Sequence, residues 1–560
     1  MKKSESILPE QILELADAQC SGIITEVELA ALEQLLTEHP EYRREYLNYV
    51  FLHIGLASAA KSAQLPPAEA EAPTIPQKPR RVAARFLLIP GFSLLVCLCA
   101  VGLFLSLQSA PQKAGAPDVV QDRSQYYFDE NAVPPSEVAF VQSTLQAKWE
   151  LLGKNPVMTD HFQPGTVKVT SGNVDFAFSG GADVSLTSPS LFGMEGKDQG
   201  TLFSGKLLTH RSDGKAPFKL ETPSVELINR GTEYEVSVNE ESETYVHVLD
   251  GQVEVKLRGR LPRFYWNFDQ RESESLQDAI GMGAIRAGKN AVRVEGIIGS
   301  GAIRFNNHPD ASLLLGNGGG KEVGTGDYAV STGVTIEAMV ISEWEISDHQ
   351  PAKKPYDYDE IFRKEDGSYR ILLSFQNDEK AGVSQIPVVK GGPCLSFGLF
   401  LSGMGYSELD MPLDGKEGRP TLAEMRDGKP HHIVATYNGW TGVKAIYIDG
   451  KLRMSHRFPV GTMIISGGST PAVIGNLITS DFESFVGREP FSGVIDEVAF
   501  YDYALDPATI AAHFECVKAG RDYFEGQLNK FVLQEKQGKN MLLNKGQKMR
   551  FSAETGEPVL

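Results

Sequence analysis

The stretch FSGVIDEVAFYDYAL, residues 491–505, sets two adjacent carboxylates, Asp496 and Glu497, inside an otherwise apolar run. Side chains alternate across a strand, so Val494, Asp496, Val498 and Phe500 are expected on one face and Ile495, Glu497, Ala499 and Tyr501 on the other. The two carboxylates then point apart. A pair that works on one glycosidic bond must converge from facing positions about 5 to 9 Å apart, which strand neighbours cannot do. The stretch therefore reads as a strand running into a turn, and its carboxylates as architecture.

The same grammar continues upstream. IYIDGKL (446–452) is a strand, a tight Asp-Gly turn and a second strand. HHIVATY (431–437) alternates, so His431 and His432 face opposite ways and read as structural histidines, not a metal pair. Farther back, residues 165–194, 200–238 and 243–257 alternate apolar and polar residues and break at Gly, Asn or Asp, which predicts an all-β domain of short antiparallel strands. ELDMP (408–412) is the nearest approach to three carboxylates at period two, but its third position is Pro412. Proline also disfavours a central strand, and an enzyme is not expected.

A chain of 560 residues exceeds what one core serves and divides into several domains. Its net charge of −18 argues against a nucleic-acid partner, which draws on clustered Lys and Arg. Five cysteines are too few for a disulfide scaffold. Cys394 and Cys516 are available to pair if that part is exported, and otherwise are buried thiols.

FLLIPGFSLLVCLCAVGLFLSL, residues 86–107, is uncharged and long enough to cross a bilayer as one helix. Lys78, Arg80, Arg81 and Arg85 precede it, whereas Lys113 and Arg123 after it are balanced by Asp118 and Asp122. The positive-inside rule then keeps residues 1–60 in the cytoplasm and puts the later domains outside. In the inner segment Leu29, Leu32, Leu35 and Leu36 share a helix face behind a Thr25/Glu28 capping box. Asp17, Gly22 and Glu28 fall at the first, sixth and twelfth positions of a calcium loop, but Gln19 and Ser21 leave it short of carboxylate, which favours a plain turn.

The pieces FSGGADVSLTSPS, LFSGKLLT, PFKLETPSVELINRGTEYEV and VHVLDGQVEV resemble, in order, the FecR domain of membrane-anchored sigma-factor regulators. The inner segment, with ITEVELAALEQLLTEHPEYRREYLNYVFLHIGL, looks like the helical part that precedes the span in such proteins. FYWNFDQ, GSGAIRFN, VTIEAMV, GKPHHIVATYNGWTGVKAIYIDGKL, AVIGN and FSGVIDEVAFYDYALDPATIAAHF are similar to the successive motifs of a LamG-like, concanavalin A-like jellyroll.

These resemblances imply a multidomain, mainly β chain in the inner membrane. Its parts are a helical anti-sigma-like segment (1–60), a linker (61–85), a span (86–107), a periplasmic linker (108–160), a FecR-like β domain (161–258), a LamG-like jellyroll (262–516) and a tail (517–560). They imply a regulator that binds an extracytoplasmic glycan or protein and holds an ECF-type sigma factor inside. The alternative is a membrane-anchored adhesive module without signalling. Trp344, Trp440, Tyr406 and Tyr356 are the aromatics available to stack on sugars, and each could equally cap the core. No cofactor is required; calcium is the one candidate in the jellyroll, with Asp269, Asp278, Asp449 and Asp496 as available carboxylates, although Asp449 reads first as the turn residue of a hairpin and Asp496 as a strand-end hydrogen-bond acceptor.

Overall fold

The computed structural model describes Leu32, Leu35 and residues 135–559, apart from 154–160, 212–216, 230, 258–260, 271–274, 282–284, 346–357, 379–383, 390, 478–488, 531, 533–539 and 553–556. Leu32 and Leu35 are helical and Leu32 is buried, in keeping with a shared helix face. The span at 86–107, the loop at 17–28 and Tyr356 lie outside the described residues. Among the described residues no helix is long and apolar enough to cross a membrane.

The first β domain is built from β1 (Ala139–Leu151), β2 (His161–Phe162), β3 (Gly165–Phe178), β4 (Ala182–Gly196), β5 (Gln199–Arg211), β6 (Phe218–Glu221), β7 (Val225–Asn229), β8 (Glu233–Val238), β9 (Thr244–Asp250) and β10 (Gln252–Leu257). They pair in the order β2-β1-β3-β4-β5-β6-β7-β10, with β8 bridging β5 and β9. Alternation does the work here: in β8, EYEVSV, every second side chain is buried. Phe176, Val184, Leu207, Tyr234 and Val253 meet in one core.

The sandwich follows. One sheet holds β11 (Phe264–Trp266), β13 (Ala291–Val294), β14 (Ala302–Asn306), β16 (Gly333–Ser342), β21 (His431–Asn438), β22 (Val443–Ile448), β23 (Lys451–Arg457) and β25 (Ser492–Tyr501). The other runs in the order β12 (Arg286–Ala287), β15 (Leu313–Gly316), β24 (Ala472–Ile474), β17 (Tyr358–Asp366), β18 (Tyr369–Asp378), β19 (Gly392–Leu401) and β20 (Gly405–Pro412). Two helices accompany them, α1 (Leu422–Met425) and α2 (Pro507–Lys518). The main core, with Trp266, Ile336, Phe375, Phe397 and Phe500, lies between the sheets. A second apolar layer, with Tyr265, Val434, Tyr501, Ile510 and Tyr523, lies under α2 on the outer face of the first sheet. The Asp-Gly turn forms as read: Asp449 and Gly450 both have positive φ, 52° and 69°, and join β22 to β23 in a two-residue hairpin. Pro412 ends β20, the last strand of its sheet, where a missing N–H costs least.

Two expectations need correction. Residues 139–151 are not linker: they form β1, which pairs along β3. Nor is 517–560 a tail of the sandwich throughout. Tyr523 and Phe524 pack under α2, but β26 (Met541–Asn544) pairs with β10, β27 (Lys548–Phe551) pairs with β9, and β28 (Pro558–Val559) pairs with β27. The first domain therefore closes with strands that come after the sandwich, and Leu543 and Phe551 belong to its core. Of the two readings of Cys394 and Cys516, the structure holds to the buried thiols: both are buried and form no disulfide.

Candidate functional site

The opening motif departs from simple alternation. Along β16 and β25, Glu337 faces Ala499 but Met339 faces Asp496, so Ala338 opposes both Glu497 and Val498. This is a β-bulge, with Glu497 in the left-handed region at φ 50°. Its effect is to return Val498 to the core beside Ile495 and to leave Asp496 and Glu497 on the same outer face, not on opposite faces as expected. Asp496 accepts from the N–H groups of Ile297 (2.9 Å) and Ile298 (3.0 Å). Glu497 accepts from the Tyr265 hydroxyl, and Tyr523 donates to its carbonyl at 2.8 Å. Burial pushes Asp496 up to about 7 and Glu497 well above the carboxylate range, the Asp496 charge adding to the latter. Beside them Glu337, fully buried, accepts from His432 Nε2 (2.8 Å), His513 Nδ1 (3.0 Å) and the Tyr501 hydroxyl (3.0 Å). Burial opposes ionisation of Glu337, yet His513 and His432 hold its pKa down at about 2. The pair thus belongs to a polar layer that fastens α2 to the sheet.

The four candidate calcium carboxylates do not converge. Asp278 caps the N–H groups of Tyr265, Ile280 and Gly281, and Asp449 takes the N–H of His432 and faces His431 Nδ1 at 3.1 Å. Asp269 accepts from the N–H of Ser300 at 2.5 Å and from its hydroxyl at 3.1 Å, so of the four only Asp269 and Asp496 hold one loop, 297–301, Asp496 through backbone N–H groups. Among the described residues no group of three or more His, Cys, Asp or Glu side chains could hold a metal.

The candidate aromatics are likewise engaged. Trp344 is 1% exposed and stacks on Phe375 at 5.6 Å inside the core. Tyr406 lies under the Arg370 guanidinium, 4.7 Å from its ring centre, and donates to Glu408 at 2.8 Å. Trp440 packs on Phe203 of the first domain, with ring centres 4.8 Å apart. Trp344 and Tyr406 are buried, and Trp440 is half-buried with Phe203 against its ring.

Trp440 marks an interface between the two β domains. Ser331 Oγ donates to Glu195 at 2.5 Å and Thr332 Oγ1 to Glu221 at 3.1 Å. Thr166 Oγ1 donates to the Gly461 carbonyl (2.6 Å) and Ser402 Oγ to that of Pro164 (3.1 Å). Burial first, and the Glu221 charge second, raise Glu195 to about 8.

An open concave site lies elsewhere, at the rim of the sandwich. A cleft of about 630 Å³ has Ile341 and Val494 among its lining residues, with Arg304, Glu343, Arg426 and Glu345 around them. Arg304 Nη2 meets both oxygens of Glu343, at 2.6 and 2.7 Å, and Arg426 lies 3.7 Å from Glu345. Ser492, which also lines the cleft, donates its N–H to Asp359 at 2.8 Å. Asp359 Oδ1 is buried without a hydrogen-bond partner among the described residues, and burial, partly offset by Ser492 and the Arg426 charge, lifts its pKa well up. Paired guanidinium and carboxylate groups supply donors and acceptors side by side, as vicinal hydroxyls require, and the apolar residues suit the C–H face of a ring. Sequence reading missed this cleft. Arg304 and the Glu343/Glu345 pair show only as charges at alternate positions, and nothing local says that they meet.

Comparison with known proteins fits this architecture. A family described as FecR protein matches residues 166–254, and one described as the concanavalin A-like lectin/glucanases superfamily matches residues 375–511. The chain carries a FecR domain followed by a LamG-like, concanavalin A-like domain. No curated protein matches the chain significantly. Solved structures similar to part of the chain include domain 4 of AbnA, a GH43 extracellular arabinanase from Geobacillus stearothermophilus, in complex with arabinotriose (19% identity, TM-score 0.29, covering 45% of this chain and 98% of that one). Others are the binding domains of botulinum neurotoxin serotype G (11%, TM-score 0.31, 45% and 50%) and of Paraclostridial Mosquitocidal Protein 1 (14%, TM-score 0.33, 45% and 52%). The chain spans about half the length of these two binding domains.

Proposed function

We propose that the chain is a single-pass regulator of the FecR, anti-sigma kind, not an enzyme. In this reading residues 86–107 anchor it in the inner membrane, residues 1–60 hold an ECF-type sigma factor, and the LamG-like domain binds an extracytoplasmic glycan or protein through the rim cleft. The observation that carries the binding role is the pairing of Arg304 with Glu343, and of Arg426 with Glu345, beside Ile341 and Val494. The joined FecR and LamG-like domains supply a route by which occupancy is felt nearer the membrane.

The purified chain, screened on a glycan array, is expected to retain neutral oligosaccharides and to lose them when Arg304 and Glu343 are both changed to Ala. Retention unchanged by that pair would remove the cleft from the reading. Repeating the screen with chelator in place of calcium tests the candidate ion of the jellyroll: retention lost with chelator would support it, and retention unchanged would remove it. Co-purification of a sigma factor with the full chain, lost on deletion of residues 1–60, separates the regulator from an adhesive anchor, which would keep its function without them.

A further inference from the structure

The FecR domain is finished by residues that follow the sandwich. Gln252 to Val255 of β10 pair with Asn544 to Met541 of β26, and Thr244 to His247 of β9 pair with Phe551 to Lys548 of β27. Remove those two strands and β9 and β10 become open edges, each a template for another strand. Two apolar slots would open with them, since Leu543 and Phe551 are 1% and 0% exposed inside the domain's core.

The strands themselves are held lightly. Each is four residues long and fully buries one side chain, Leu543 in β26 and Phe551 in β27, with Met541 and Met549 half-buried against the same core. Most of their side-chain polar contacts are on the surface: Gln252 Nε2 to Asn544 at 2.8 Å, Asn540 Nδ2 to Glu254 at 2.8 Å, and Lys545 to Asp250 at 2.7 Å between side chains 69% and 66% exposed. Water can replace these three, whereas Ser224 Oγ donates to the Phe551 carbonyl at 3.4 Å inside the domain. The strands are far from β10 in sequence and are tied to the sandwich at Val532, which packs under α2. Docking therefore behaves as a binding event between two surfaces that share a chain.

We infer that the edges of β9 and β10 are a strand-acceptor site, and that the occupant which replaces residues 541–551 of the same chain is residues 541–551 of a second copy. A second copy fits because it carries the identical strands, with leucine and phenylalanine at the two positions that enter the slots, and the exchange needs no new contact. In the exchanged state each copy completes the FecR domain of the other.

The test uses Glu254 and Leu542, which face each other across β10 and β26. Leu542 is 53% exposed. Facing strand residues are close enough for a disulfide. A full chain with both Glu254→Cys and Leu542→Cys should cross-link on mild oxidation; failure to do so, within or between chains, overturns the pairing itself. Copies carrying Glu254→Cys alone are then mixed with copies carrying Leu542→Cys alone. A cross-linked dimer should appear in the mixture and in neither variant alone, and should be lost when the Leu542→Cys copy also carries Leu543→Asp and Phe551→Asp. No mixed dimer, while the double variant links within one chain, overturns exchange. A mixed dimer that survives the two Asp changes also overturns it, because the link would not depend on the slots.

Discussion

At the scale of single residues, the sharpest consequences concern ionisable groups taken out of water. Lys444 of β22 is 0% exposed; it donates to the Ser407 carbonyl at 2.8 Å and its ammonium lies 5.1 Å from the centre of the Phe397 ring. Burial lowers its pKa from 10.5 to about 7, against the pull of Glu408 and Asp410. A depressed lysine contributes stability that is complete above the unfolded pKa and drains away as pH falls through the folded one. Lys444→Met should therefore gain on the natural protein as pH drops from about 10 to about 7, by on the order of 2 kcal/mol, and hold that margin below. Urea melts at several pH values measure it, and a margin constant across the window would refute it. Asp496 has the opposite sign. With a folded pKa of about 7 against 3.8, it contributes most below pH 4 and loses that contribution as pH rises through 7. Asp496→Asn should flatten the melting curve's pH dependence between those limits. Sequence showed that Asp496 and Glu497 were architectural, and they are. It could not show that they share a face, because one bulge residue reverses every assignment beyond it. Nor could it tell a covered Trp344 from a sugar platform, since hydrophobicity alone makes both.

Among elements, legibility followed the range of the interactions. The Asp449-Gly450 hairpin is local and was open to reading, and the Asp506 cap of α2, which accepts from the N–H groups of Ala508 and Thr509 at 2.9 Å, is equally local. Strands β26 and β27 were not. MLLN and KMRF are short and partly polar, and what makes them strands is an edge supplied by β9 and β10 from far upstream. That dependence can be measured. Phe551→Ala removes a fully buried ring and should cost the FecR domain about 3 kcal/mol. Hydrogen exchange should show amides of β9 and β10 losing protection while those of β3 to β5 keep theirs. Equal loss throughout the domain would mean that the two strands are an integral part of its core and not a separable strap.

For the whole molecule, the question is how firmly the FecR and LamG-like domains are joined, because the proposed signal must cross between them. The contact is mixed: Trp440 on Phe203 supplies apolar area, while Glu195 and Glu221 bring two carboxylates to the neighbouring hydroxyls of Ser331 and Thr332. Thr201 and Gln199 also donate to Glu195, which softens its burial without removing it, and its pKa remains raised to about 8 from 4.5. We expect docking to complete the burial that raises Glu195, so that the carboxyl takes up a proton as the domains close. Docking is then strongest below pH 4.5 and weakens as pH climbs through 8, where Glu195 ionises beside Glu221. Calorimetry of the full chain should show the two β domains unfolding together at pH 5 and in separate steps at pH 9. Glu195→Gln, which keeps an acceptor for Ser331 and cannot ionise, should hold them together at both. Trp440→Ala should separate them at both, while leaving the rim cleft around Arg304 able to bind. If Glu195→Gln separates at pH 9 just as the natural chain does, the coupling is governed by the Phe203–Trp440 contact alone and the carboxylates are bystanders.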